Sequence, residues 1–356
     1  MMAQFPAELG KIDRAFFDEV IAPRLGASRR DVLVGPRIGV DVAIVRLPGG
    51  SVMAVTTDPL SVIPSLGLED SAWLSVHLLA SDLATSGLAP AYAVLDFNLP
   101  PTMSARDFQV YWEAMHREFE RLNIAVVAGH TGRYVGCDYT IIGGGVLFAV
   151  GREDEYVTAN MAQPGDHLLI TKGAAIATTG LLARVFPKTI TERFSSTFLE
   201  RAQSFFRKFS VVEEALTAAR AGLREAGVRA MHDATEGGVL GGLLELAEAC
   251  GCGLRAERAA IPIAEETEKT CQLFEIDPYW ALSEGTLILA VLPDRVETVQ
   301  RALEQKHISV TKVGELLAPG QGRWLIEPTG ERRQLLSPGQ DPYWTGYWRA
   351  AQRGWT

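Results

Sequence analysis

Residues 230–247, A-M-H-D-A-T-E-G-G-V-L-G-G-L-L-E-L-A, constrain the local path of the chain more tightly than any other stretch. They read as a strand end, an acid, a glycine turn and then a helix. Asp233, Thr235 and Glu236 stand just before Gly237 and Gly238. Leu240, Leu243, Leu244 and Ala247 recur at i, i+3, i+4 and i+7, which is one apolar helical face. Glycines entering a helix let backbone N–H groups approach an anion, and the N-terminal dipole favours negative charge there. Acids beside such a loop repel a bare phosphate. A bridging Mg²⁺ removes the conflict, because carboxylates and substrate phosphates are its usual ligands. The same residues also suit a Thr-capped, glycine-started helix with no ligand.

The chain has 356 residues, enough for two domains with separate cores. A net charge of −9 argues against a nucleic-acid binder, which normally carries a basic face. No apolar run reaches the roughly 18 residues of a membrane span. The first ten residues lack a basic region followed by an apolar core, so no signal peptide is expected. Cys137, Cys250, Cys252 and Cys271 are few and scattered, which suits a reducing cytoplasm. Cys250-Gly251-Cys252 is not a zinc spacing, and small buried thiols are the expectation.

Periodicity predicts helices at 12–26, 70–86 and 104–122. The first carries Ile12, Phe16, Val20 and Ile21. The last carries Phe108, Tyr111, Trp112, Met115 and Phe119 on one face. Strands are expected at 40–47 and 51–56 as a hairpin, then at 91–97, 124–128 and 139–149. Charges, Gly151 and Gln163-Pro164-Gly165-Asp166 mark a linker over 151–166. The second half predicts a strand at 167–171, helices at 175–185 and 195–225 (broken near 209), a strand at 287–292, a helix at 294–306 and a strand pair within 308–327. Both halves are α+β, and no short internal repeat is apparent. Residues 1–155, 156–330 and 331–356 are the expected N-terminal domain, C-terminal domain and tail. Tyr343, Trp344, Tyr347, Trp348 and Trp355 give the tail a large apolar surface. That surface fits packing on the chain's own body or a dimer mate, with partner binding or membrane-interface binding as alternatives.

Three aspartates of the first half stand out. Asp41 follows Gly39 and precedes a strand, Asp58 ends a strand in T-T-D-P, and Asp82 lies on a largely apolar helix. A buried ionised Asp needs a partner or a cation. Three such carboxylates at strand ends and on a facing helix suit Mg²⁺ and nucleotide phosphates. Singly, each also reads as a cap or turn acid.

In this order, these segments resemble the AIR-synthetase-like superfamily. It includes aminoimidazole-ribonucleotide (AIR) synthetase, thiamine-monophosphate kinase, selenophosphate synthetase and the hydrogenase-maturation factor HypE. The pattern G-D-D-A-A-V resembles Gly39–Ile44, T-T-D resembles Thr56–Asp58, and N-D-L-A-x-x-G-A-x-P resembles Ser81–Pro90. G-D-T is similar to Gly129-His130-Thr131, P-G-D-x-L-L-I-T-K-G to Pro164–Gly173, and D-x-T-x-G-G-L to Asp233–Val239. Residues 277–287, D-P-Y-W-A-L-S-E-G-T-L, look most like the HypE branch.

The resemblance implies a two-domain AIR-synthetase-like fold. Its N-terminal mixed sheet forms a homodimer interface, and its C-terminal domain is an α/β sandwich. It also implies ATP and Mg²⁺ in the cleft between the domains. Asp41, Asp58 and Asp82 carry over as metal or phosphate ligands. Asp233, Thr235, Gly237 and Gly238 carry over to a phosphate-facing loop, with Lys172 as a charge partner and Thr131 at the cofactor. Asp82 and His130 are the candidate catalytic groups.

Two acids of the family pattern are replaced, by Val40 and His130. A neutral His is a poor Mg²⁺ ligand, so His130 is expected to donate to phosphate, to act as an acid–base group, or to be structural. The chain ends R-G-W-T and its last cysteine is Cys271, so the HypE reaction at a C-terminal cysteine is not expected. The leading expectation is a cytoplasmic HypE-like enzyme performing Mg-dependent ATP hydrolysis or phosphoryl transfer to a small-molecule or protein acceptor. The alternatives are a non-catalytic nucleotide-binding scaffold and a hydrogenase-maturation accessory protein.

Overall fold

The structure, a computed structural model, describes residue 12 and residues 14–356. The expected helix over 12–26 therefore lies partly outside the described residues. What is described is a short helix α1 (Arg14–Phe16), a π turn (Phe17–Ile21) and a 3₁₀ turn (Ala22–Arg24).

The first half continues through β1 (Val32–Val34), β2 (Ala43–Arg46), β3 (Ser51–Ser61), α2 (Gly67–Ala84), β4 (Tyr92–Leu99), α3 (Ala105–Arg121), β5 (Ala125–Arg133) and β6 (Ile141–Arg152). The strands form one six-stranded sheet in the order β1-β2-β3-β6-β4-β5. Only β4 and β5 pair in parallel, as the crossover through α3 requires.

The second half holds β7 (His167–Thr171), α4 (Ile176–Val185), α5 (Pro187–Arg193), α6 (Ser196–Ser204), α7 (Val212–Ala221), β8 (Val228–Ala234), α8 (Gly238–Ala249), β9 (Gly253–Glu257) and α9 (Glu265–Phe274). It ends with β10 (Thr286–Val291), α10 (Val296–Glu304), β11 (Val310–Leu317), β12 (Arg323–Ile326), β13 (Arg332–Gln334) and α11 (Pro342–Gln352). Its seven strands run β13-β12-β9-β11-β7-β10-β8. The architecture is α+β, two mixed sheets each covered by helices.

α2 joins the two halves. It is buried almost all round, with Ala72, Val76, Leu79, Ala80 and Leu83 inaccessible, the signature of a helix packed on every side. Its buried serines are all satisfied. Ser71 donates to the Gly67 carbonyl, Ser75 accepts from the Ser61 N–H and from the Tyr111 hydroxyl, and Ser81 accepts from the Val211 N–H. The last of these bonds ties α2 to the second half, and one core cluster holds Leu83 together with Val211, Met231 and Leu287. α3 starts with a Ser104–Asp107 capping box and buries Tyr111, Met115 and Phe119. Trp112, expected beside them, sits at the rim with 37% exposure.

Two strands run further than expected. β3 continues through Thr57, Asp58 and Pro59, pairing Asp58 with Gly145 and Leu60 with Gly143 of β6. Asp58 is thus inside a strand rather than at its end. The glycines of β6 allow this close approach: a Cβ on Gly145 would lie 2.5 Å from Leu79 of α2, and one on Gly143 would lie 1.9 Å from the Asp96 carbonyl oxygen. β5 likewise runs on through His130 and Thr131, which pair with Asp96 and Phe97 of β4.

The stretch 195–225 is two helices, α6 and α7, separated by a 3₁₀ turn at Phe205–Lys208. The tail folds back on the body. Tyr343 and Ala350 are buried, Trp355 meets Phe274 edge-on at 5.1 Å, and Arg349 and Arg353 pair with Glu275. Cys252 and Cys271 are buried thiols, and burial pushes the Cys252 thiol up to about 12. Among the described residues no helix is long and apolar enough to cross a membrane.

Candidate functional site

The loop before β2 lies against α8. Gly39 has φ +75°, and a Cβ there would stand 2.5 Å from the Glu245 carbonyl oxygen. Glycine is therefore required twice, for the left-handed backbone and for the contact. This places Asp41 beside β8. Its carboxylate is 2.8 Å from His232 Nδ1 and accepts the Asp233 N–H at 3.2 Å. The other ring nitrogen, Nε2, is 3.0 Å from Glu245 of α8. Carboxylates accept, so both ring nitrogens donate and the ring is an imidazolium. Burial alone would depress its pKa. Attraction to Asp41 and the hydrogen bonds from Asp41 and Glu245 outweigh this and raise it from 6.5 to about 10.

Asp233 is the adjoining acid. It is 2% exposed, and its Oδ1 has no hydrogen-bond partner. Burial holds its carboxyl well above the usual carboxylate range, and the negative charges of Asp82, Asp41 and Glu284 push it further. The Thr56 hydroxyl of β3 lies 2.9 Å from the Asp41 carbonyl oxygen and 3.4 Å from the Asp82 carboxylate. Acids from β8, α2 and the loop before β2 therefore gather where the two halves meet. These donors are all oxygens, which suits a hard cation such as Mg²⁺, and the orphaned Asp233 oxygen is an atom a cation would satisfy. Among the described residues, however, no three His, Cys, Asp or Glu side chains stand in a ready metal-binding group.

The glycine loop follows. Gly237 (φ +84°) is the N-cap of α8, with no side-chain cap, so the Thr-capped alternative does not hold. Gly238 has φ +65°, and a Cβ there would meet the Tyr279 carbonyl oxygen at 2.7 Å. The Gly237 N–H donates to Asp341 of the tail at 2.8 Å.

Lys172 donates to the Lys208 and Ser210 carbonyls at 2.8 Å each and pairs with Glu214 at 2.6 Å. All three ammonium protons thus serve the segment that leads into α7. His130 and Thr131 are exposed on β5, and the strands β6 and β4 lie between β5 and β3. Three strand spacings put them roughly 14 Å from Thr56 and Asp58. His130 Nε2 is 2.7 Å from the Tyr134 hydroxyl. Asp58 is half-buried on β3. His232, Glu245 and Asp341 were not anticipated. The one sequence cue is a histidine beside an acid in the strand that leads into the glycine loop.

A fold of two mixed sheets with an acid-lined junction and a glycine-started helix defines a class, and comparison with known proteins agrees. The family described as AIR synthase related protein, N-terminal domain, matches residues 39–150, and the corresponding C-terminal domain matches residues 163–325. The chain belongs to the AIR synthase related family. Within it, the chain is 26% identical over 293 residues to carbamoyl dehydratase HypE of Cupriavidus necator, covering 80% of this chain and 79% of that one. A solved HypE–HypF complex superposes with a TM-score of 0.70 at 20% identity, covering 91% of this chain and 100% of that chain. HypE solved in complex with ATP gives 0.64 at 19% identity, covering 92% and 93%. At these identities the solved structures establish the fold.

Proposed function

We propose that this chain is a HypE-like ATP-binding enzyme, catalysing Mg-dependent ATP hydrolysis or phosphoryl transfer to a small-molecule or protein acceptor. One observation carries the reading: Asp41, Asp82 and Asp233 converge at the junction of the two halves, beside the glycine loop, with a buried Asp233 oxygen left unsatisfied. Similarity to HypE, one of whose structures contains ATP and another HypF, supports a nucleotide ligand and a protein partner.

In this reading Asp41, Asp58 and Asp82 would hold Mg²⁺ beside the unsatisfied Asp233 oxygen, and the ion would neutralise charge on the nucleotide phosphates. Asp41 also serves as acceptor for His232, and the imidazolium keeps the gathered acids from repelling the nucleotide. Gly237 and Gly238 allow a phosphate oxygen to approach the first N–H groups of α8. Cys271 is buried with its thiol pushed up, so it is no candidate nucleophile. Self-association through β5 completes the proposal, since Val126 and Val127 expose apolar side chains on that edge strand.

Calorimetric titration with Mg-ATP tests it: saturable binding is expected, and no heat at millimolar nucleotide with folded protein contradicts it. The engaged Lys172 favours a second reading, a nucleotide-binding scaffold without turnover. ADP release in the presence of any candidate acceptor would dismiss that reading.

A further inference from the structure

The tetrapeptide Asp-Pro-Tyr-Trp occurs twice, at 277–280 and at 341–344, so the chain does carry a short internal repeat. Both copies begin alike. The Asp277 carboxylate accepts the Tyr279 N–H at 3.0 Å, and the Asp341 carboxylate accepts the Tyr343 N–H at 2.8 Å. Both also grip the glycine loop. From the first copy, the Tyr279 carbonyl accepts the Leu240 N–H at 3.1 Å. From the second, Asp341 Oδ2 accepts the Gly237 N–H at 2.8 Å, and the Trp344 indole N–H donates to Glu236 at 3.2 Å.

The two grips differ in charge. Tyr279 offers a neutral carbonyl, whereas Asp341 sets a carboxylate on the N–H that opens α8. Asp341 is only 5% exposed, and α11 anchors it there through buried Tyr343 and the Arg349 and Arg353 pairs with Glu275. The tail is thus a tethered anion seated at a helix N-terminus, the position that favours negative charge.

We infer that the tail is a built-in competitor: Asp341 occupies the Gly237 N–H that a nucleotide phosphate oxygen would take, so tail docking and nucleotide binding exclude one another. The inference rests on the proposed nucleotide reading. One N–H makes one good hydrogen bond, and two anions crowded onto it repel strongly in a partly dry site. Nucleotide must therefore displace the 341–344 segment, and anything that weakens the tail's hold favours the nucleotide.

The test uses the full chain, with Asp341→Asn and Asp341→Ala variants, titrated calorimetrically with Mg²⁺ and a non-hydrolysable ATP analogue. Asn keeps one acceptor for the Tyr343 turn but loses the charge at Gly237. Both variants are expected to bind roughly tenfold or more tightly than the wild type. Amide hydrogen exchange over 341–352 of the wild type is expected to rise when nucleotide saturates, a readout that needs no variant to fold. Equal or weaker binding by the variants, or tail exchange that stays level or falls, overturns the inference while the nucleotide reading stands. Absence of binding by all three proteins overturns the nucleotide reading and this inference with it.

Discussion

Replacing His232 by glutamine probes the buried charge on which the site is built. The imidazolium is 3% exposed and bridges Asp41, on the loop before β2, to Glu245 on α8. Glutamine is neutral and has one amide group to donate, so it cannot serve both acids. Breaking a buried pair on one side costs about 3–5 kcal/mol. The pH dependence gives a second estimate. A pKa raised from 6.5 to about 10 corresponds to about 5 kcal/mol at ~1.36 kcal/mol per pH unit. Because the folded pKa is the higher, this stability is fully present below pH 6.5 and is lost as pH rises through about 10. Urea unfolding at pH 6.5, 8 and 9.5 should show the wild type weakening steadily while the variant starts lower and stays nearly level across that window. Parallel pH curves, or a loss below about 1 kcal/mol at pH 6.5, would refute a charged His232.

Asp82→Asn should weaken Mg-ATP binding far more than binding of Mg²⁺-free nucleotide, as paired calorimetric titrations would register; equal effects would remove Asp82 from the metal. Gly238→Ala should lower stability by about 3 kcal/mol or more, because φ is +65° and the new Cβ meets backbone at 2.7 Å; a wild-type melting temperature would contradict the tight loop.

The parts legible from sequence were those with local signals. The glycine-started helix α8 announced itself through its i, i+3, i+4 pattern, and α3 through its aromatic face. The ordered short motifs identified the two-part α+β fold. Strand ends were misplaced at Asp58 and His130 because glycine-rich β6 and parallel β4 extend the pairing, and no residue in β3 or β5 records its neighbour. Lys172 carries the expected charge, but its partners are two backbone carbonyls and a glutamate on α7, all distant in sequence. His232 gave no periodic cue, since its bonding partners lie 191 and 13 positions away. The tail's aromatic content suggested packing. That Asp341 would reach Gly237 depended on the docking of α11, which only the folded chain reveals.

A crystal structure of the chain with Mg²⁺ and a non-hydrolysable ATP analogue tests the central claim most directly. The triphosphate is predicted at the junction of the two halves, with Mg²⁺ held by Asp41, Asp58 and Asp82 and a phosphate oxygen on the Gly237 N–H. A nucleotide bound elsewhere, or an acid cluster left untouched beside a bound nucleotide, would contradict the account.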